Sequence, residues 1–370
     1  MLTKEELRRY ARHLNLPGFG IEAQEKLKNS RVLVIGAGGL GSPMLQYLAA
    51  AGVGHIGIVE FDVVDESNLQ RQILYTTTDI GKSKAIAAKT RLEALNPLIS
   101  IKVFEMPITR DNALDLIGQY DIVADGTDNF PTRYLVNDAC VLAGKPNVYA
   151  SVFRYEGQVS VFNLLLEDGT RSPNYRDLYP LPPPPDMVPN CAEGGVLGVL
   201  PGILGSMQAN EVIKIITGIG KPLSGRLCLF DTADFSVRTL KYFKRKDTVI
   251  ETLIDYEAFC SGTSKNDNMN TVKTMTVNTL KELIDAGENI TLVDVREGFE
   301  REVFNIGGLH IPMGEIPSNA NQIPDEGKVI IYCRSGARSA NVVSFLQQQH
   351  AFDNLYNLVG GMIAWQDQIK

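Results

Sequence analysis

The fold of this chain is predicted by residues 31–61, which read RVLVIGAGGLGSPMLQYLAAAGVGHIGIVEF. This stretch opens with a β-rich apolar run from Arg31 to Ile35. It then passes through GAGGLGS into a helical segment that reaches about Ala51, and it closes with a second apolar run from His55 to Phe61. A strand, a glycine turn, a helix and a second strand in this order predict a βαβ unit. Such units build parallel sheets.

The alternation of strands and helices continues along the chain. A helix is predicted from Lys82 to Leu95, and strands are predicted from Ile99 to Phe104 and from Asp121 to Ala124. We therefore expect an α/β fold with a Rossmann-like, mostly parallel sheet covered by helices on both faces. The proline-rich segment from Ser172 to Pro189 is expected to be a loop without regular structure.

A second, smaller α/β domain is predicted after a polar linker. The chain has 370 residues, which is more than one core usually holds. The run SGTSKNDNMNT, residues 261–271, has the composition of a linker. We expect domains over residues 1–260 and 273–370 and a linker over 261–272. The second domain should contain helices from Thr276 to Ala286 and from about Ser339, and strands from Thr291 to Val295 and from Lys328 to Tyr332.

Composition narrows the class of protein and its partners. The net charge of -7 disfavours nucleic acid as a partner, and 44% hydrophobic residues are typical of a globular protein. No secretory signal is visible in the sequence. The longest apolar stretch runs from Val196 to Met207 and is too short to cross a bilayer, so we expect it to form a buried helix. Five widely spread cysteines predict reduced thiols in a cytoplasm.

The glycine turn predicts a nucleotide site. Gly36, Gly38 and Gly41 have the G-x-G-x-x-G spacing, and with Gly39 they let backbone N–H groups approach a phosphate or ribose at a helix N-terminus. Asp62 ends the second strand, where an acidic residue can bind ribose hydroxyls. These features alone suit a nicotinamide-dependent dehydrogenase, which stays an alternative.

The polar and charged residues that follow favour nucleotidyl transfer over hydride transfer. Asn68, Arg71 and Gln72 come just past the second strand, and a dehydrogenase has no evident need for them together. Lys84 opens the next helix, and Asp128 of DGTDN stands at the carboxyl end of another strand. Cations neutralise phosphates and a carboxylate holds Mg²⁺, which is what nucleotidyl transfer requires. A P-loop is excluded because Thr76 stands where its first glycine would be.

From about Arg9 to Asp255 the chain resembles the adenylyltransferases of molybdopterin and thiamine biosynthesis, relatives of the ubiquitin-activating enzymes. The motifs that carry the resemblance are RYARHLNLPGFG, GAGGLGS, EFDVVDESNLQRQ, GKSKA, DGTDN and CAEGGVLGVLPGILGSMQANEVIK. The resemblance implies that Asp62 binds ribose and that Asn68, Arg71 and Lys84 hold the ATP phosphates. It implies that Asp128 organises Mg²⁺ beside Asn129. It also implies a homodimer in which Arg12 enters the partner's active site.

The resemblance also implies the reaction. The C-terminal glycine carboxylate of a small β-grasp sulfur carrier ending in Gly-Gly attacks the α-phosphate of ATP, which gives an acyl-adenylate and pyrophosphate. No protein base is needed, because a carboxylate is already ionised. A non-catalytic scaffold that binds a ubiquitin-like partner is a further alternative.

Cysteines mark one departure from the family and one further candidate. Many family members hold zinc with two C-x-x-C pairs, but the first pair's place reads Asn174 to Asp177 here and only Cys260 stands near the second. We therefore expect no zinc. Cys191 follows the proline-rich loop at the position of the family's transfer cysteine, with an inert buried thiol as the alternative.

The stretch KVIIYCRSGARSANVV places Cys333 in a short loop between a buried strand and a helix. Backbone N–H groups in such a loop stabilise a thiolate or a persulfide. A cysteine phosphatase needs C-x5-R, whereas Arg338 stands at C-x4-R.

With LVDVREGFE, NIGGLHIP and GGMIAW, the segment resembles a rhodanese domain. The resemblance implies that Cys333 carries sulfur as a persulfide, supported by Asp294 and Arg338, although Asp294 could equally anchor a loop. The sulfur donor would be a cysteine desulfurase or thiosulfate.

Joining the halves predicts that the first domain makes the acyl-adenylate and that the Cys333 persulfide converts it to a thiocarboxylate. The sequence leaves the receiving pathway open among molybdopterin, thiamine, tRNA thiolation and cysteine synthesis.

Overall fold

The computed structural model describes residues 1–183, 195–261, 272–350 and 352–369. The chain divides into two compact units, Met1–Lys265 and Asn266–Lys370. Apart from its end residues Ser261 and Val272, the predicted linker lies outside the described residues, so its bounds stay a prediction.

The first unit is built on an eight-stranded sheet in the order β3-β2-β1-β4-β5-β6-β7-β8. Its strands are β1 Arg31–Ile35, β2 His55–Val59, β3 Ser100–Phe104, β4 Ile122–Asp125, β5 Asn147–Phe153, β6 Glu156–Phe162, β7 Arg226–Asp231 and β8 Ser236–Lys241. β1 to β5 run parallel, which confirms the mostly parallel sheet, although β5 was not among the predicted strands. β6, β7 and β8 extend the sheet antiparallel.

Helices cover both faces of this sheet. They are α1 Lys4–Arg9, α2 Ala11–Leu14, α3 Gly20–Asn29, α4 Gly41–Ala51, α5 Lys84–Leu95, α6 Ala113–Gly118, α7 Phe130–Leu142, α8 Tyr175–Leu178, α9 Val199–Thr217 and α10 Tyr256–Ser261. Side chains alternate across a strand. Val32 and Val34 of β1 therefore pack on α3, α4 and α9, whereas Leu33 and Ile35 pack on α6 and α7.

One prediction for this unit is wrong. The segment from Ser172 to Pro189 was expected to hold no regular structure, but it contains the short helix α8. Asn174 caps that helix by accepting from the Arg176 amide, and the Asp177 carboxylate accepts from the Asn174 amide. This reciprocal capping stabilises a turn that the neighbouring prolines obscure in the sequence.

The apolar stretch from Val196 to Met207 leads into α9, which packs on α4 and β5, so a buried helix is confirmed. Within the described residues, no helix is both long and apolar enough to cross a membrane.

The second unit has a five-stranded parallel sheet in the order β11-β10-β12-β13-β9. Its strands are β9 Thr274–Met275, β10 Ile290–Asp294, β11 Leu309–His310, β12 Lys328–Tyr332 and β13 Leu355–Leu358. Its helices are α11 Val277–Asp285, α12 Gly298–Val303, α13 Ile316–Asn319, α14 Ala337–His350 and α15 Gly361–Gln368. Two apolar clusters form its core.

Candidate functional site

The glycine loop between β1 and α4 has a shape that only glycine permits. Gly36 adopts φ +88°, and a Cβ on Gly41 would lie 2.1 Å from the Gly36 carbonyl oxygen. The turn therefore brings the start of α4 against the end of β1. This explains the glycine spacing at both positions.

Glu60 fixes this loop, and sequence reasoning missed it. Its buried carboxylate accepts from the amide of Ala37 at 2.9 Å and from the amides of Phe61 and Asp62, both at 2.9 Å. Three backbone donors satisfy a charge that would be costly to bury alone. The available signal was an acidic residue at the end of β2, two positions before Asp62.

Most predicted nucleotide-site residues line one cavity of about 520 Å³, which we call the nucleotide cavity. Its lining includes the predicted residues Gly36, Gly38, Gly39, Asp62, Arg71, Lys84, Asp128 and Asn129, the Gln72 that the sequence analysis names with Arg71, and the unpredicted Glu60, Thr127 and Arg133. The cavity lies at the carboxyl ends of β1, β2 and β4, where open α/β sheets bind ligands.

Opposite charges meet in the nucleotide cavity. The Lys84 ammonium group is 3.0 Å from an Asp62 carboxylate oxygen. Arg71 donates to the Ser67 carbonyl oxygen at 3.2 Å and also lines the cavity. Asp128 is exposed there, and Asn129 caps α7 by accepting from the Thr132 amide at 2.9 Å. The cavity therefore offers cations for phosphates beside carboxylates for ribose or a metal ion.

Three predicted residues are absent from the described lining of this cavity. Gly41 is buried behind the loop. The Asn68 side chain accepts from the Asp65 amide at 3.3 Å and so stabilises the turn before Arg71. Arg12 is exposed on α2.

Asp125, at the end of β4, holds Thr127, which lines the nucleotide cavity. Its Oδ1 accepts from the amide and the hydroxyl of Thr127, and its Oδ2 has no hydrogen-bond partner among the described residues. Burial raises the pKa of this carboxyl group, although the Thr127 hydrogen bonds oppose that shift.

A second cavity, of about 660 Å³, adjoins the nucleotide cavity, and we call it the aromatic cavity. Its lining includes Tyr149, Phe153, Tyr175, Tyr179, Phe230, Arg238 and the four residues that it shares with the nucleotide cavity, Asp128, Asn129, Arg133 and Val152. Arg133 thus stands where the cavities join, with its guanidinium 5.8 Å from the Tyr149 ring centroid. The sequence motifs gave no sign of this arginine.

In the second unit, Cys333 follows β12 directly and is fully buried. The Gly336 amide donates to its Sγ at 3.1 Å, and the Ser339 hydroxyl lies 3.4 Å from it. α14 begins at Ala337. The predicted loop, with an N–H group and a helix N-terminus near the sulfur, is therefore present, and such donors favour a thiolate or persulfide.

The two supporting residues of the Cys333 loop have different surroundings. Arg338 forms a bidentate pair with Glu300, with both N···O distances 2.7 Å. Burial acts to raise the pKa of Glu300, but the hydrogen bonds from Arg338 and from the Glu297 amide, together with the charges of Arg338 and Arg296, outweigh burial, so the pKa lies below its ordinary value. Asp294 is fully buried and pairs with the Arg296 guanidinium at 2.6 Å, which supports the loop-anchoring interpretation.

The remaining cysteines divide into three groups. Cys140 and Cys228 are buried in the core, and burial raises the pKa of both thiols. Burial also raises the pKa of Cys260 to about 11. Cys191 lies outside the described residues. Across the part of the chain that the structure describes, no group of three or more His, Cys, Asp or Glu side chains could hold a metal ion.

The fold and these cavities define a nucleotide-binding α/β enzyme joined to a cysteine-loop domain. The family model of the ThiF family matches residues 10–251, and that of the rhodanese-like domain matches residues 276–368. The chain therefore belongs to the ThiF family and carries a C-terminal rhodanese-like domain. The family resemblance seen in the motifs is confirmed, and the dehydrogenase alternative is wrong.

Two curated relatives support this assignment. The chain is 48% identical over 375 residues to "Probable adenylyltransferase/sulfurtransferase MoeZ" of Mycobacterium tuberculosis, covering 100% of this chain and 95% of the relative. It is 52% identical over 265 residues to "Sulfur carrier protein adenylyltransferase" of Thermus thermophilus, covering 70% of this chain and 98% of the relative. The chain is an adenylyltransferase and sulfurtransferase that uses ATP.

A solved structure shares the fold of the first unit. E. coli MccB, crystallised with MccA-N7isoASN, matches with a TM-score of 0.58 and 22% identity, covering 69% of this chain and 74% of that one.

Proposed function

We propose that the chain adenylates the C-terminal glycine of a small sulfur-carrier protein and then replaces the activated oxygen with sulfur from a Cys333 persulfide. The observation that carries the first step is the pair of joined cavities: one presents Arg71 and Lys84, and the other is lined by aromatic side chains. The nucleotide cavity suits ATP, and the aromatic cavity suits an extended peptide tail.

The reacting atoms meet where the cavities join. A carboxylate oxygen of the tail attacks the α-phosphorus, and the bond to the β-phosphate oxygen breaks with its electron pair leaving on pyrophosphate. Arg71 and Lys84 neutralise the charge that develops on the phosphates. Arg133 lines both cavities and is placed to orient the tail carboxylate and the α-phosphate.

Mg²⁺ fits the donors that the nucleotide cavity offers. Asp128 presents an exposed carboxylate there, and Mg²⁺ in nucleotide sites usually takes one or two carboxylates together with phosphate oxygens. Asp128 would hold the ion, which supplies charge neutralisation when bound.

Sulfur transfer needs a nucleophile on the second unit. The terminal sulfur of Cys333 persulfide attacks the acyl carbon and AMP leaves, which gives an acyl disulfide. A second thiol then attacks the Cys333 sulfur and releases the carrier thiocarboxylate. We propose Cys191 or a small thiol for that step. That attack leaves Cys333 in a disulfide with the attacking thiol, and a further small thiol reduces this disulfide and frees Cys333. A cysteine desulfurase or thiosulfate then transfers a new sulfane sulfur to the free Cys333 thiolate.

Three further proposals concern the assembly, the compartment and the pathway. The first and the last rest on the resemblance, and the second rests on the cysteines. Arg12, exposed on α2, would enter the active site of a second copy in a homodimer. The free thiols of Cys140, Cys228, Cys260 and Cys333 suit a reducing cytoplasm. The molybdopterin and thiamine pathways are the receiving pathways that the family suggests.

Exchange of labelled pyrophosphate into ATP tests the first step. The full chain with Mg²⁺ and a β-grasp carrier ending in Gly-Gly should catalyse exchange, and a carrier without its last glycine should not. Exchange that is independent of the carrier would contradict the proposal.

A further inference from the structure

The wall of the aromatic cavity depends on a helix of only four residues. α8, Tyr175–Leu178, and the residue after it contribute Tyr175 and Tyr179 to that wall. A single helical turn is not stable by itself, because nucleation costs more than its few hydrogen bonds return. Side chains from elsewhere must therefore hold this turn in place.

Asp138, on α7, supplies the main anchor. Its side chain is 2% exposed, and its two oxygens accept from the Arg176 guanidinium at 2.8 and 2.7 Å. The Tyr256 hydroxyl donates to the same carboxylate at 2.8 Å, and the Asn137 amide donates to it at 3.0 Å. Four charge-assisted hydrogen bonds offset the cost of burying this ion.

The Arg176 guanidinium is also fixed from the side. It lies 5.0 Å from the Tyr134 ring centroid and 4.6 Å from the Phe259 ring centroid. Aromatic faces attract a guanidinium at such distances. The arginine thus has one position, set jointly by α7 and α10.

A second carboxylate anchors the other side of α8. Asp177 accepts from the amide and from the side chain of Asn174, at 2.8 and 2.9 Å, and its other oxygen accepts from the Arg245 amide at 2.8 Å. This is the segment in which both cysteines of the family pattern are missing. Carboxylates and their donors thus join it to the chain around residue 245.

Hydrogen bonds connect these anchors to the tyrosine wall. The Asn137 side-chain oxygen accepts from the Tyr175 amide at 2.8 Å. The Tyr134 hydroxyl donates to the Tyr179 carbonyl oxygen at 3.0 Å, and the Tyr179 hydroxyl reaches Gln158 at 2.7 Å. A shift of Arg176 would therefore move both tyrosines that face the cavity.

We propose that the buried ion pair of Asp138 and Arg176, closed by Tyr256, is a metal-free clamp that sets the tyrosine wall of the aromatic cavity. Asp138 and Arg176 are then positioning residues for the carboxylate-ended tail of the carrier, and neither is in the described lining of the nucleotide cavity. This inference rests on the proposed function, because it assigns the aromatic cavity to the carrier.

Carrier-dependent pyrophosphate exchange by the full chain tests the clamp. Asp138→Asn should raise the KM for the carrier about tenfold or more while the KM for ATP stays within about twofold, because only the peptide wall moves. Arg176→Lys keeps the positive charge but loses the paired N–H donors of the guanidinium group, so it should also raise the KM for the carrier. Tyr256→Phe removes one donor and should have a smaller effect in the same direction.

Glu211→Gln is the matched control. Glu211 is also a buried carboxylate of the first unit, paired with Lys214 and accepting from the Leu223 amide at 2.8 Å, but it does not line either cavity. Removal of the Glu211 charge should leave the KM for the carrier unchanged, even if the free energy of unfolding falls. The clamp is overturned if Asp138→Asn raises both KM values together or matches Glu211→Gln.

Hydrogen exchange of the free protein separates the clamp from the proposed function. In Asp138→Asn, the Tyr175 amide should lose protection while amides of β1 keep theirs. If the wild type shows no carrier-dependent exchange of pyrophosphate, the proposed function fails. If Asp138→Asn and Tyr256→Phe both keep wild-type protection at Tyr175, the clamp fails whatever the activity.

Discussion

The side chain of Lys84 reaches the nucleotide cavity although the residue is only 4% exposed, and its Nζ lies 3.0 Å from an Asp62 carboxylate oxygen. A cation that is in place before the nucleotide arrives needs no reorganisation during the reaction. Lys84→Met keeps the length and removes the charge, so carrier-dependent pyrophosphate exchange should fall about 100-fold or more.

Lys82→Met provides the control for that measurement. The Lys82 side chain is 61% exposed and pairs with Asp79 at 3.5 Å, away from the cavity lining. Exchange by this variant should stay within about twofold of the wild type, as is usual for exposed ion pairs. Near-normal exchange by Lys84→Met would remove this lysine from the reaction.

Glu300 makes the second unit sensitive to acid. Its pKa lies below the ordinary value of 4.5 in the folded state, so the pair with Arg338 stabilises the fold above that pH and is lost as pH falls through the folded pKa. Glu300→Gln should cost about 1–2 kcal/mol of unfolding free energy at pH 7, and the difference should shrink in acid.

Fluorescence of Trp365 measures this effect, because it is the one tryptophan of the chain and lies in the second unit. Denaturant unfolding is followed at several pH values for wild type and Glu300→Gln. A difference in unfolding free energy that stays constant down to acid pH would contradict the assignment.

Residues that act through backbone shape could be predicted from the sequence, whereas residues that act through distant partners could not. Gly36 and Asp62 belong to spacings that one turn imposes. Asp138 meets Arg176 at a separation of 38 residues and Tyr256 at 118 residues. Only the folded chain brings such partners together.

At the scale of elements, the contact between β1 and α4 is the most constrained feature. A Cβ on Gly41 would lie 2.1 Å from the Gly36 carbonyl oxygen, which no small shift relieves. Gly41→Ala should cost about 1–3 kcal/mol and weaken ATP binding, since the loop must open. The measurement is thermal unfolding with and without ATP.

Gly118→Ala is the comparison for that variant. Gly118 ends α6, and a Cβ there would meet nothing within 4 Å. It should unfold near the wild-type temperature and keep the full ATP shift. An equal ATP shift in Gly41→Ala would contradict the account of the loop.

Helices and strands with a strong apolar periodicity were predicted well. Those that depend on contacts with distant parts of the chain were not. β1 and β12 match their predicted bounds. α8 was missed because proline content outweighed its capping residues. The antiparallel strands β6 to β8 were not predicted, because no glycine motif or strong alternation marks them.

At the scale of the whole molecule, the proposed adenylation and sulfur transfer are assigned to different compact units of the chain. In the proposed function, adenylation uses Arg71 and Lys84 of the first unit, and sulfur transfer uses Cys333 of the second. Removing the Cys333 thiol should therefore leave activation intact. Cys260→Ala is the control, because Cys260 lies in the first unit outside both described cavity linings.

The intact mass of the carrier shows whether Cys333 delivers the sulfur. The full chain is incubated with carrier, ATP, Mg²⁺ and a persulfide donor. Wild type and Cys260→Ala should give a carrier whose mass has gained one sulfur in place of one oxygen. Cys333→Ala should give no such gain, although its carrier-dependent pyrophosphate exchange continues. Thiocarboxylate formed by Cys333→Ala at the wild-type level would contradict the account.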